Sequence, residues 1–360
     1  MHPANVTLEQ LGLSTESGGL AADYISMDEH EAVRHVQKFW GLHTKARRLA
    51  TEKDDTFALE DEAGAKFVLK VSNPSEDENE INFEVSLLQH VAANGSVPVP
   101  ALLPSWEGET LVTFVDDSAQ LRRARIMNLA PGIPLDSTGS SPEEREKVGE
   151  VLARLRAATA SFSHPAEHRL LVWDVRHLGA LHPLLDEVPT LWQRDVLEEG
   201  LGRFEGIAGR LAGLRSQVLH NDFSKSNIFV EHGHPDFVRA IIDFGDAVHT
   251  AIAVDVSTAL LNQLPRHARD DAGGDIFSAG KDLLRGYLRY ADLNDEELSL
   301  IPHLVMGRVV SRALITIHRA ALFPSNSGYI LRNTEQGWNQ LKWFLQRSPD
   351  EVSQSLMGNV

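Results

Sequence analysis

Apolar positions recur at helical spacing from Asp28 to Trp40, with Ala32, Val33, Val36, Phe39 and Trp40 on one side. The period then changes. Thr44 to Leu49 reads as a short first strand, Thr56 to Glu60 alternates, and Lys66 to Val71 is a second β-like run. The short turn Asp61-Glu62-Ala63-Gly64 between the last two makes them a hairpin. Asn82 to Ala93 carries Phe83, Leu87, Leu88 and Val91 on one helical face, and Pro98 and Pro100 lie beyond its end. Val97 to Leu103, Thr110 to Phe114 and Arg125 to Leu129 predict three more strands. After Pro131-Gly132 the pattern turns helical, and Ser141-Pro142-Glu143-Glu144 is a helix start with Ser at the cap and Pro in the first turn. Most of 185–215 and 252–350 predicts helix, with Trp338 and Trp343 as core. The expected organisation is an arm and helix over 1–40, a small β-rich lobe over 41–129 and a larger helical lobe over 130–360.

Length and composition narrow the classes. A chain of 360 residues, 42% apolar, buries a sizeable core in two domains or two lobes. Its net charge of −17 argues against nucleic acid or an anionic membrane as partner, and favours small cationic metabolites and metal-bound phosphates. With no cysteine, disulfides, thiolate metal sites and thiol nucleophiles are excluded. No run approaches the ~18 consecutive apolar residues of a membrane span, and the first residues lack a secretory pattern. The expected setting is cytoplasmic.

Chemistry concentrates in one stretch. Val218-Leu-His220-Asn221-Asp222-Phe-Ser-Lys-Ser-Asn227 runs into an apolar strand, and Ile242-Asp243-Phe244-Gly245-Asp246 follows the next one. Three polar residues thus stand at the ends of short strands. One carboxylate, Asp222, can take the proton of an attacking hydroxyl. Asn227 and Asp243 can hold Mg²⁺ against nucleotide phosphates. The Asp-x-x-x-x-Asn spacing before Asp-Phe-Gly matches kinase catalytic and metal loops. His220 is expected to order this loop by hydrogen bonding. Asp246 either lines an acceptor site or accepts backbone hydrogen bonds. His232 and His234 form a pair without a third ligand and read as turn residues.

These motifs resemble the aminoglycoside phosphotransferase and choline kinase superfamily, and within it the hydroxylysine kinase-like branch, over roughly residues 40–350. The resemblance implies an α+β, protein kinase-like fold of two lobes. It also implies that Lys70 binds nucleotide phosphates and that Glu84 orients it, although Glu80 stands one turn away. Arg125 to Gly132 then resembles the hinge, where the backbone of Asn128 and Ala130 meets adenine and Met127 packs beside the ring. Asp255 matches an aspartate that braces the catalytic loop. One departure is the loop Ala50 to Thr56, which contains no glycine; Glu52, Asp54 and Asp55 would have to point away from phosphates.

The activity implied is Mg²⁺-dependent transfer of the γ-phosphate of ATP or GTP to a hydroxyl of an amine-bearing metabolite, an amino alcohol or a hydroxy amino acid such as hydroxylysine. Aminoglycoside or choline/ethanolamine phosphorylation, and an inactive nucleotide-binding pseudokinase, are the alternatives. The acceptor pocket is expected in the helical lobe, with negative potential. Asp246 runs almost directly into the segment around Asp255, leaving no room for the activation loop of a protein kinase.

Overall fold

The computed structural model describes residues 6–13, 24–51, 54–265 and 274–357. Helix α1 (Glu29–Trp40) begins where the Asp28 side chain accepts from the Glu31 N–H, and ends at Gly41 in the left-handed region. It leads into strands β1 (Thr44–Leu49), β2 (Asp55–Asp61) and β3 (Lys66–Val71). Helix α2 (Glu78–Asn94) follows, capped by Asp77, and then β4 (Leu102–Leu103), β5 (Val112–Val115) and β6 (Leu121–Asn128). The antiparallel sheet runs β1-β2-β3-β6-β4, with β5 also paired to β6.

The expected hairpin of β2 and β3 is present. The strand expected over Val97 to Leu103 is not: only Leu102 and Leu103 pair with the sheet. Pro98 and Pro100 have no N–H to give a ladder, and the Pro98 carbonyl accepts from Ile241 in the other lobe.

Helix α1 shares one core with the sheet, where Met27, Ala32, Val36 and Trp40 pack on Phe57, Leu69 and Ile126. The arm residues before it tie to the same lobe. The Asp55 carboxylate is fully buried and accepts from Met27 N–H, Arg48 and Arg122. Helix α2 turns the other way, and Phe83, Leu87 and Val91 join the core of the helical lobe.

That lobe opens with β7 (Ile133–Pro134), then α3 (Pro142–Thr159) and α4 (Leu191–Leu211). The Ser141 and Glu144 capping box starts α3 as its sequence predicts. Four short strands follow, β8 (Ser216–Leu219), β9 (Ile228–Val230), β10 (Val238–Ile241) and β11 (Val248–Ala251). Helices α5 (Ile252–Leu261), α6 (Ser278–Leu288), α7 (Asp295–Leu322), α8 (Ser327–Ile330), α9 (Thr334–Leu345) and α10 (Pro349–Gln354) complete the chain. Helices α3 and α6 approach through Gly149 and Gly286. A Cβ on either would lie within 2 Å of a carbonyl oxygen of the opposite helix, at 1.8 and 1.9 Å. Helix α7 is long and apolar enough to cross a membrane, but 83% of its most apolar 18-residue window is buried in this core. Trp338 and Trp343 are buried on α9 as expected.

Candidate active site

Strand pairing brings the two motif loops together. Strand β8 pairs with β11 and β9 with β10, so the β8–β9 loop carrying Asp222 lies beside the β10–β11 loop carrying Asp243. The Ile242 N–H donates to the Asn227 carbonyl at 3.0 Å, and His220 Nε2 lies 3.0 Å from the Ile242 carbonyl. Phe244 is buried against the His220 ring, with centroids 4.8 Å apart. Asn221 and Asp243 take left-handed backbones, φ 61° and 62°, which cost energy in residues with a Cβ. Other contacts hold the first of them. The Asn221 N–H donates to Asp255 Oδ1 at 2.8 Å from the first turn of α5, and its carbonyl accepts from Arg308 of α7. Only β11 separates Asp246 from α5.

Within this frame Asn227 Nδ2 donates to the Asp222 carboxylate at 2.7 Å and to its carbonyl at 3.0 Å. The nitrogen of the amide is therefore committed, and its oxygen is the atom left to face a cation. Together with the Asp243 carboxylate, 52% exposed, this donor set suits a hard divalent ion. Burial first, and then the neighbouring Asp243 carboxylate, push the Asp222 carboxyl above the usual range against His220 and Arg308. Burial and the carboxylates of Asp222 and Asp243 push Asp246 up to about 6.

Across the cleft, Lys70 Nζ sits 3.5 Å from Glu84, 3.4 Å from Asp54 and 3.7 Å from Asp243. Burial works against its charge, but these carboxylates outweigh burial and hold its pKa above the ordinary value. Glu84 faces Lys70 as expected, whereas Glu80 pairs with Arg169 at 3.3 Å. Arg169 also donates to the carbonyls of Gly245 and Ala247, fixing the Asp246 turn to α2.

Two features of this half were not expected. Arg125, buried on β6 and directly opposite Lys70 in the register, reaches Glu84 Oε2 at 2.6 Å. Burial would raise the Glu84 carboxyl, but Arg125 and then Lys70 bring it down to about 2. The second is a correction to the glycine-less loop. Asp55 does point away, into the β-lobe core, but Asp54 turns its carboxylate onto Lys70 and accepts from the Asn73 N–H at 3.3 Å. Glu52 lies outside the described residues.

At the hinge, Met127 pairs with Val68 and Leu102 across β3 and β4, and Ala130 is buried. The Asn128 N–H is already spent on the Ala101 carbonyl at 3.1 Å, and the Asn128 side chain accepts from Ala101. Any purine contact of the Asn128 backbone therefore has to use its carbonyl.

A cavity of about 1040 Å³ opens beside Asp222, and Asp246 lines it too. All of its lining comes from residue 135 onward, in the helical lobe. Its charge differs from the acidic lining expected. Against Asp136, Asp222 and Asp246 stand Lys225, Arg308, Arg312 and Arg332. One cation, Lys225, comes from a position that the Asp222-to-Asn227 motif leaves open, and the others come from α7 onward, where no motif marks them.

Residues 45–293 match the model of the phosphotransferase enzyme family. The chain belongs to that family. It is a phosphotransferase with kinase relatives that act on hydroxyl groups. It is 23% identical to the hydroxylysine kinase of Xenopus laevis over 344 residues, 88% of this chain and 89% of that one. It is 29% identical to the homoserine kinase of Azorhizobium caulinodans over 257 residues, 70% and 73% of the two chains. Among solved structures, the amicoumacin kinase hAmiN in complex with AMP-PNP, Ca²⁺ and Ami superposes with a TM-score of 0.68 at 18% identity, covering 88% of this chain and 93% of that one. The fold is thus the protein kinase-like one.

Proposed function

We propose that this phosphotransferase moves the γ-phosphate of ATP or GTP to a hydroxyl of a small amine-bearing metabolite in the cytoplasm, an amino alcohol or a hydroxy amino acid. The observation that carries this reading is that Asp222 and Asp246 open into one cavity beside the Lys70–Asp243 bridge. In this reading one carboxylate takes a hydroxyl and the other an ammonium.

In this reading Asp222 orients the acceptor hydroxyl and takes its proton as the oxygen attacks the γ-phosphorus. The bond to the bridging oxygen breaks, and the nucleoside diphosphate leaves. Asn227, through its oxygen, and Asp243 hold Mg²⁺, which when bound neutralises charge on the phosphates. Lys70, placed by Glu84, contacts the phosphates as a point charge. Met127, Asn128 and Ala130 line the purine seat. His220 and Asp255 keep the loop in its strained shape, and Asp246 receives the ammonium. Every polar position of the motif is filled, which favours an active enzyme over a pseudokinase.

The test is phosphate transfer from ATP and GTP, with Mg²⁺, to hydroxy amino acids, amino alcohols, choline, ethanolamine and aminoglycosides. Hydroxylated amines should be phosphorylated and sugars or amine-free hydroxy acids should not. Best turnover with an amine-free acceptor sinks the reading. Asp243→Asn should shift the Mg²⁺ saturation curve to much higher concentration, and an unchanged curve removes Asp243 from the metal site.

A further inference from the structure

The two signs of charge in the acceptor cavity are not mixed at random. Arg308 belongs with the acids: its guanidinium is fixed to the carbonyls of Trp173 and Asn221, and the charges of Asp222 and Asp246 act on it. One helical turn further along α7, ~5–6 Å on, Arg312 enters the lining. There the surroundings change. Arg312 Nη2 donates to Gln340 Oε1 of α9 at 3.1 Å, and among the described residues no carboxylate acts on it. Burial, and then the like charge of Arg308, lower its pKa to about 10 with no acid opposing them, so it stays charged at neutral pH. Among the described residues the rest of this end is neutral or basic, with Gln336, Gln340 and Arg332.

A half-buried guanidinium that lines the cavity and, among the described residues, meets only a neutral amide is a ready seat for an anion. Its planar fork matches the two oxygens of a carboxylate. In the transfer reading the phosphate comes from the Lys70 side of the site, so it does not fill this place. We propose that Arg312 is the seat of a carboxylate on the acceptor, so that the substrate is a zwitterionic hydroxy amino acid and not a simple amino alcohol. Its hydroxyl faces Asp222, its ammonium Asp246, and its carboxylate the fork of Arg312, braced by Gln340. The inference rests on the transfer reading above and narrows it. An acceptor carrying several amines would bring like charge to Arg308 and Arg312, which disfavours an aminoglycoside.

The experiment uses two pairs of probes that differ only by a carboxylate: homoserine with 3-aminopropan-1-ol, and 5-hydroxylysine with 1,5-diaminopentan-2-ol. Binding to the full-length protein is measured by calorimetry with AMP-PNP and Mg²⁺ present, and turnover with ATP. The wild type should bind the carboxylate-bearing member of at least one pair about 10- to 100-fold more tightly, the size of a charge-assisted hydrogen-bonded contact. Arg312→Gln should erase that gap by weakening the amino acid alone, leaving the amino alcohol and the nucleotide within about twofold. Arg312→Lys keeps the charge without the fork and should restore part of the gap. Equal binding of both members by the wild type overturns the proposal. So does a uniform loss in Arg312→Gln, or no binding of any probe. Should the binding gap and its loss in Arg312→Gln appear without turnover of any probe, the carboxylate seat stands and the transfer reading fails.

Discussion

On the sheet side of the cleft, charges of opposite sign are locked together. Lys70, Glu84, Arg125 and Asp54 lie within ion-pair distance in a chain, two of them on facing strands and all of them largely buried. On the helical side Asp243 works to raise the Asp222 carboxyl and both work to raise that of Asp246, while Asn227 donates to Asp222 and Lys70 bridges to Asp243. The sheet side fixes the place of one ammonium by surrounding it with compensating charge. The helical side holds the loops that carry its carboxylates through the contacts of His220, Asn221 and Asn227, which leaves their charge for the species that enter. The first arrangement should fail by losing structure and the second by losing chemistry.

The sharpest way to break the comparison is Asp222→Asn. A positioned base typically contributes ~10²–10⁴-fold, so kcat should fall by that factor while nucleotide affinity stays within about threefold. Calorimetry and steady-state kinetics on one preparation read both. A drop in kcat under about threefold removes Asp222 from proton transfer.

On the sheet side, Arg125→Met should act on stability. It leaves Glu84 with Lys70 as its remaining ion-pair partner, and breaking a buried pair from one side costs ~3–5 kcal/mol. Denaturant unfolding checks this. The double variant Arg125→Met/Glu84→Gln should be more stable than Arg125→Met alone, since the uncompensated charge is gone. If the double variant is no better, Glu84 does not depend on Arg125, and the locked-charge description of this side is wrong.

The same contrast explains what could be read from the chain. The helical-side residues stand within 26 positions of one another, at the ends of short apolar strands whose pairing is local, so His220, Asp222, Asn227, Asp243 and Asp246 come together much as their spacing implies. Lys70 and Glu84 were legible because a strand and the next helix carry them. Arg125 was not, because its position opposite Lys70 depends on the β3–β6 register across more than 50 intervening residues. Arg312 had no local sign at all, being one polar residue in a helical pattern whose cavity-facing side is set by packing against α5 and α9. The strand expected over Val97 to Leu103 failed for a local reason, the two prolines. The reading of Asp54 failed because an acidic side chain was judged by what phosphates would repel, without the lysine that already held it.

Asp54 offers the smallest and most discriminating test. Its carboxylate lies 3.4 Å from Lys70 Nζ, on the face that the transfer reading gives to phosphates. Burial raises its carboxyl, Lys70 opposes this, and the acids Glu76 and Glu84 add to it, so this negative charge is held at a disadvantage. If the charge serves only to neutralise Lys70, Asp54→Asn should tighten nucleotide binding, because the ammonium then faces phosphate oxygens without a competing anion. Asn can still accept the hydrogen bond from the Asn73 N–H, so the loop need not move. Lys70 keeps Glu84 and Asp243 beside it when Asp54 is neutralised, so the gain in nucleotide affinity should stay below about tenfold. The gain should shrink as salt screens the pair. Arg125 and Glu84 do not change, so stability should stay close to wild type. Weaker nucleotide binding, or a fall in kcat at saturating nucleotide, would show instead that Asp54 positions Lys70 together with Glu84. The locked set on the sheet side would then count both acids as essential to the place of that ammonium.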